Sequence, residues 1–136
     1  MKKNNQECLA DFFQNVFNRG NIEATDRYVD SSLVDHAPWP GHPATRTGFK
    51  TGLAEMRSSF PDLNVAVERI IAQDDLVVAH QRMSGTHLGA FMGTPASGRT
   101  FNVEAIDIVR MKDGRIVEHW GVLNTVGMME QLGLAS

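Results

Sequence analysis

The period of the apolar residues changes at Pro61, and that change limits the folds open to this chain. Before it, Leu9, Phe12, Phe13, Val16 and Phe17 recur at helical spacing, with Asn4 or Asn5 as a cap and Gly20 as a stop. "NIEATDRYVD" reads as a short second helix. Phe49, Leu53, Met56 and Phe60 share one side of a third, which ends at Pro61 because proline cannot continue it. Beyond Pro61 the spacing is two. "LNVAVERIIA", "DLVVAHQRMSGTH" and "TFNVEAIDIVRM" alternate, and "GRIVEHWGVL" is apolar with polar insertions. Four strands are therefore expected, followed by a short helix, "VGMMEQLG". Helices first and antiparallel strands afterwards define an α+β fold with helices packed on one sheet face. If the sheet curves strongly, it leaves a conical cavity between the two layers.

The 136 residues suit a single domain, taken here as 1–136. A net charge of −3 offers no basic footprint for nucleic acid and no polybasic membrane patch. No apolar run approaches the roughly 20 residues of a membrane span, and "MKKNNQECLADFFQ" lacks the continuous apolar core of a signal peptide. With Cys8 as the lone cysteine, the expectation is a cytoplasmic protein in a reducing compartment. The five histidines show neither HxxxH nor CxxC-type spacing, so no metal is expected. "GTPASG" lacks the lysine and the following helix of a phosphate loop and reads as a mobile pocket rim.

Alternation assigns faces. Phe101, Val103, Ala105, Asp107 and Val109 share one side of their strand, and Asp107 is its only charge. Val77, Ala79, Gln81 and Met83 share a face of the preceding strand, opposite His80, Arg82 and Ser84. Asp107 is thus expected to point into an apolar space, where desolvation tunes a carboxyl group for acid–base work. His36 is a candidate base by virtue of its intrinsic pKa near ~6.5. His119 and Trp120 are neighbours and face opposite ways. If Trp120 and Asn124 line the cavity, His119 points outward; a bulge near the sheet end would reverse this, so His119 stays a site candidate.

"VDHAPWPG", "FPDL", "GTHLGAFMGTPASGR" and "AIDIVRMKDGRIVEHWGVLN…QLG" occur in an order that resembles the SnoaL-like polyketide cyclases. That family shares the cone-shaped α+β fold of nuclear transport factor 2 and ketosteroid isomerase. The resemblance implies a cofactor-independent cyclase or isomerase acting on an apolar carbonyl compound such as a polyketide ester. It places His36 where the isomerases carry their base, matches Asp107 to their protonated strand aspartate, and puts Phe13 near their tyrosine but without its hydroxyl. Asn124 matches a position after "EHW" where many SnoaL-like sequences have Asp. The expected catalytic set is His36, Asp107 and His119. Phe13, Phe17, Trp39, Phe101, Trp120 and Asn124 are the expected substrate-binding residues. The alternative is a small-molecule binding protein of the same fold without catalysis, suggested by Phe13 and Asn124. Superfamily members commonly dimerise through the outer sheet face, which here includes His80, Arg82, Glu104 and Ile106, with Arg82 and Glu104 able to pair across strands.

Overall fold

The computed structural model describes residues 3–134, so the outermost residues of the expected 1–136 domain lie outside it. Helix α1 (Asn5–Phe12) starts at a capping box: the Asn4 side chain accepts from the Glu7 N–H while the Glu7 side chain accepts from the Asn4 N–H. The helix then widens into a π turn over Phe13–Asn18, before Gly20 breaks it at φ 75°. Arg57 reaches across to donate to the Phe17 carbonyl at 2.6 Å, satisfying an acceptor at the end of this segment. The expected second helix is smaller than its sequence suggested, a 3₁₀ turn at Ile22–Ala24 and a single α turn, α2 (Thr25–Tyr28). Helix α3 (Arg46–Ser59) runs to the residue before Phe60 and Pro61, as expected.

Five strands form one sheet in the order β1-β5-β4-β3-β2. They are β1 (Val29–Asp35), β2 (Asn64–Gln73), β3 (Leu76–Thr86), β4 (Thr100–Lys112) and β5 (Arg115–Leu123). The four strands after Pro61 are those the alternation predicts, and all pair antiparallel. The fifth, β1, is a correction. It pairs parallel to β5 at the sheet edge, with irregular register between Val29 and Val34. Its Asp30-Ser31-Ser32 core carries the polar residues of a turn and no alternation, so nothing local marks it as a strand. Short helix α4 (Thr125–Leu132) follows β5 and seats Met128 and Leu132, both buried, beside β4.

The face assignments hold. Phe101, Val103, Ala105 and Val109 of β4, and Val77, Ala79, Gln81 and Met83 of β3, are buried, with α1 against β2 and β3 and α3 against β1. On the other face His80, not Arg82, pairs with Glu104, at 2.6 Å. Arg82 instead donates to the Asn102 side chain at 2.6 Å, although Arg82 and Glu104 are cross-strand neighbours. Helices on the concave side and an unclosed sheet make this the α+β cone of the nuclear transport factor 2 type, with a cavity between the layers.

Candidate active site

A cavity of about 290 Å³ opens between α1 and the sheet, near the lower end of small-molecule sites. Leu9, Phe12, Phe13 and Phe17 form the helical wall, Trp39 and Phe49 close one side, and the sheet supplies Met83, Ala105, Val109 and Leu123. Among the described residues lining it, none is Lys or Arg; the groups that can carry charge are Asp35, Asp107 and His119.

These three, with Gln81, form a hydrogen-bonded chain across four adjacent strands. Asp35 ends β1 and is the register partner of His119 on β5. His119 Nδ1 lies 2.8 Å from Asp35 Oδ1, and Nε2 lies 2.7 Å from Asp107 Oδ1 on β4. The other oxygen of Asp107, Oδ2, accepts from Gln81 Nε2 on β3. Asp107 is opposite Ala79 and Gln81 opposite Ala105, so this last link is a diagonal, within reach of side chains this long.

The strand phase that brings His119 inward comes from a bulge. Arg110 pairs with Glu118 but Met111 pairs with Ile116, leaving Val117 unmatched. The extra residue shifts the alternation, so Ile116 is inward and so are His119 and Gly121. Gly121 sits opposite Asp107. A Cβ there would lie 2.4 Å from Asp107 Oδ1 and 3.0 Å from His119 Nε2, so only glycine leaves room for their contact. Gly121→Ala is therefore expected to part the two side chains, lowering turnover by about 10²-fold, the scale set for small displacements at a reacting centre. A crystal structure of the variant with the His119–Asp107 bond intact would contradict the steric argument.

Electrostatics fixes the protonation state. Burial alone would lower the pKa of His119, but the hydrogen bonds and negative charges of Asp107 and Asp35 outweigh it and raise it to about 9. A neutral imidazole would present a bare nitrogen to one carboxylate; an imidazolium donates to both. Burial likewise pushes the Asp35 carboxyl upward, but donation from His119 and from the Ala37 N–H prevails and holds it below the ordinary carboxylate range. At neutral pH His119 is therefore an imidazolium held between Asp35 and Asp107, with Asp107 set in the apolar wall.

The other expected site residues divide. Phe13, Phe17 and Trp39 line the cavity. Phe101 is buried, but it packs on Phe60 at 5.0 Å between ring centres, apart from the cavity lining. His36 and Trp120 lie on the outer side, because the bulge that turns His119 in turns Trp120 out. Their rings stack at 5.1 Å, and Glu118 accepts from His36 Nε2 at 2.7 Å and from Arg110. The ionisable side chain beside His36 that reaches the cavity is Asp35, the last residue of β1. Asn124 caps α4 through its side-chain oxygen, 2.9 Å from the Gly127 N–H, and does not line the cavity. Asn124→Asp should keep this cap and leave turnover unchanged, while Asn124→Ala should cost about 1 kcal/mol in thermal or urea unfolding. The segment "GTPASG" forms no pocket rim either. Its loop folds back on α3, with Leu88 and Gly89 N–H donating to the Ser59 carbonyl and Phe91 packed on Phe60.

Sequence reasoning missed Asp35 and Gln81 as site residues. Gln81 carried the same signal as Asp107, a polar side chain on an otherwise apolar strand face. Asp35 stood beside a histidine that attracted the assignment.

This fold, with a carboxylate–imidazole chain in the wall of an apolar cone, is that of the cone-shaped α+β proteins of the nuclear transport factor 2 type. Residues 7–132 match the model of the SnoaL-like polyketide cyclase family, and the chain belongs to it. The chain is 39% identical over 108 residues to the aklanonic acid methyl ester cyclase DnrD of Streptomyces peucetius, covering 78% of this chain and 72% of that one. It is 27% identical over 127 residues to the nogalonic acid methyl ester cyclase of Streptomyces nogalater, covering 87% and 90%. The crystal structure of IdmH from Streptomyces antibioticus superposes with a TM-score of 0.86 at 32% identity, covering 96% of this chain and 99% of the other.

Proposed function

We propose that the protein is a cofactor-independent cyclase that closes a ring in a neutral polyketide ester by an intramolecular aldol reaction. The observation that carries this reading is the Asp35–His119–Asp107 chain, whose last carboxylate stands in the wall of a cavity otherwise lined by aromatic and aliphatic side chains. A carbon between a ketone and an ester is acidic enough to need only a positioned base. Asp107 takes its proton; the resulting enolate carbon attacks a second carbonyl of the same molecule, forming the C–C bond; the new alkoxide takes the proton back from Asp107. Mass is conserved, and no redox partner enters.

Both ring nitrogens of His119 are engaged by carboxylates, so Asp107 makes the proton transfers and His119 acts through it. The imidazolium donates to Asp107, holds it in the apolar wall and helps offset the negative charge that moves onto the substrate. Without Lys or Arg in the described lining, a free carboxylate would meet two carboxylates and no countercharge beyond His119. A neutral ester suits the cavity better.

The test is incubation with aklanonic and nogalonic acid methyl esters, followed by chromatography and mass spectrometry. A product of equal mass and altered retention, formed only with the protein, is expected. Recovery of every ester unchanged at saturating protein would contradict the reading.

The exposed cross-strand pair Ile106 and Val122 supports a homodimer through the outer sheet face. Light scattering reads it directly, and a monomer at high concentration would contradict it. No helix among the described residues is long and apolar enough to cross a membrane. The single Cys8 suits a reducing compartment, which for this chain we take to be the cytoplasm.

A further inference from the structure

Gln81 has capacity that the proton-transfer chain does not use. Its side chain lies on the inner face of β3 in the cavity wall, and only 3% of the residue is exposed. The orientation of its amide follows from its neighbour. Asp107 Oδ2 accepts from the amide, so the NH₂ end faces Asp107 and the carbonyl end faces away. That carbonyl oxygen, Oε1, is buried and has no hydrogen-bond partner among the described residues. Buried acceptors are rarely left so, and each costs about 1–3 kcal/mol when unpaired. Steadying Asp107 requires the NH₂ end alone and leaves the buried acceptor unexplained.

The indole N–H of Trp39 is similarly unpartnered, but it is placed differently. The Cδ1 edge of that ring lies against Gly52 of α3, where an added Cβ would come within 2.4 Å. Gln81 instead adjoins the reacting carboxylate directly.

We propose that Gln81 Oε1 is a recognition acceptor for a hydroxyl group of the ligand, enolic or phenolic, held beside the carbon that Asp107 deprotonates. The inference rests on the cyclase reading and narrows its substrate class to neutral carbonyl compounds that carry a hydroxyl donor near the reacting centre. A neutral amide oxygen needs one donor and no countercharge, which a hydroxyl supplies. A site built this way discriminates against an otherwise identical ligand lacking the hydroxyl, because binding that ligand leaves the buried oxygen unpaired. Gln81 thereby joins two tasks, steadying Asp107 with one end of its amide and selecting the ligand with the other.

Binding alone tests this, without turnover. The probes are the regioisomeric hydroxytetralones, each compared by calorimetry with tetralone and with its own methyl ether. In the wild-type protein at least one hydroxytetralone is expected to bind about tenfold or more tightly than both controls. In Gln81→Met, which keeps the side-chain length and removes both polar atoms, that advantage should fall to within about twofold, while tetralone itself binds much as before. If no hydroxytetralone has an advantage in the wild-type protein, or if the advantage survives in Gln81→Met, the proposal is overturned. If Gln81→Met folds poorly, Gln81→Leu takes its place under the same expectation, and an absent wild-type advantage overturns the proposal with no variant at all. Failure here would leave the proton-transfer role of Asp107 standing, since that role is read from turnover of the methyl esters.

Discussion

Asp107→Asn should lower turnover of an accepted polyketide ester by at least about 10³-fold while the protein stays folded. The amide preserves the shape and can accept from His119 through its oxygen, so loss of stability is held to about 1–2 kcal/mol. What it removes is the ability to take a proton. General-base assistance contributes about 10²–10⁴-fold, and of the two carboxylates in the cavity wall Asp107, its side chain 23% exposed against 4% for Asp35, is the more accessible. Single-turnover kinetics on the purified variant, with circular dichroism as the folding check, reads this directly. If Asp107→Asn turns over at the wild-type rate, the base lies elsewhere. His36→Ala supplies the contrast: His36 stacks on Trp120 outside the cavity, so its removal should change turnover less than about threefold.

The second large effect concerns His119. Replacing it by Leu leaves two carboxylates facing one another's charge without the cation between them, at a cost of about 3 kcal/mol or more in unfolding free energy. Turnover should fall with it, because Asp107 loses the cation that donates to it and positions it in the apolar wall. The pH dependence carries a definite sign. A histidine whose pKa rises from 6.5 to about 9 on folding gives stability that is complete below about 6.5 and is lost as pH rises through 9. At about 1.4 kcal/mol per pKa unit the loss across that window is on the order of 3 kcal/mol. Asp35 acts in the opposite direction. Its carboxyl is lowered on folding, so its contribution is present above the ordinary carboxylate range and is lost on acidification. Urea titrations between pH 6 and 10 should therefore show wild-type stability falling with pH and His119→Leu nearly level. A wild-type curve as flat as the variant's would remove the imidazolium from the account.

What the sequence carried and what it withheld follow from the same geometry. Period two along β3 and β4 was enough to place Asp107 and Gln81 inward, because those strands pair with each other without interruption. On β5 the period fails at Val117. A bulge leaves no local mark in "GRIVEHWGVL", yet it decides whether His119 or Trp120 meets the cavity. The same limit hid β1, whose polar start reads as a turn and whose partner lies more than eighty residues away. Asp35 could be recognised only with that pairing in hand. Asn124 misled for a different reason. Its match to a family aspartate suggested a lost proton carrier, whereas the side chain caps α4, a task Asn and Asp perform equally well. Gly121 was silent in the sequence, since the need for a missing Cβ is visible only once Asp107 and His119 are seen to meet above it.

The most direct test of the Asp35–His119–Asp107 chain is a titration of the His119 ring followed by nitrogen and carbon NMR. The account predicts an imidazolium still protonated at pH 8, with a midpoint near 9 that falls in Asp107→Asn as one of its two partners loses its charge. A midpoint at or below 6.5, unchanged in that variant, would contradict it and leave the cavity without its proton-transfer chain.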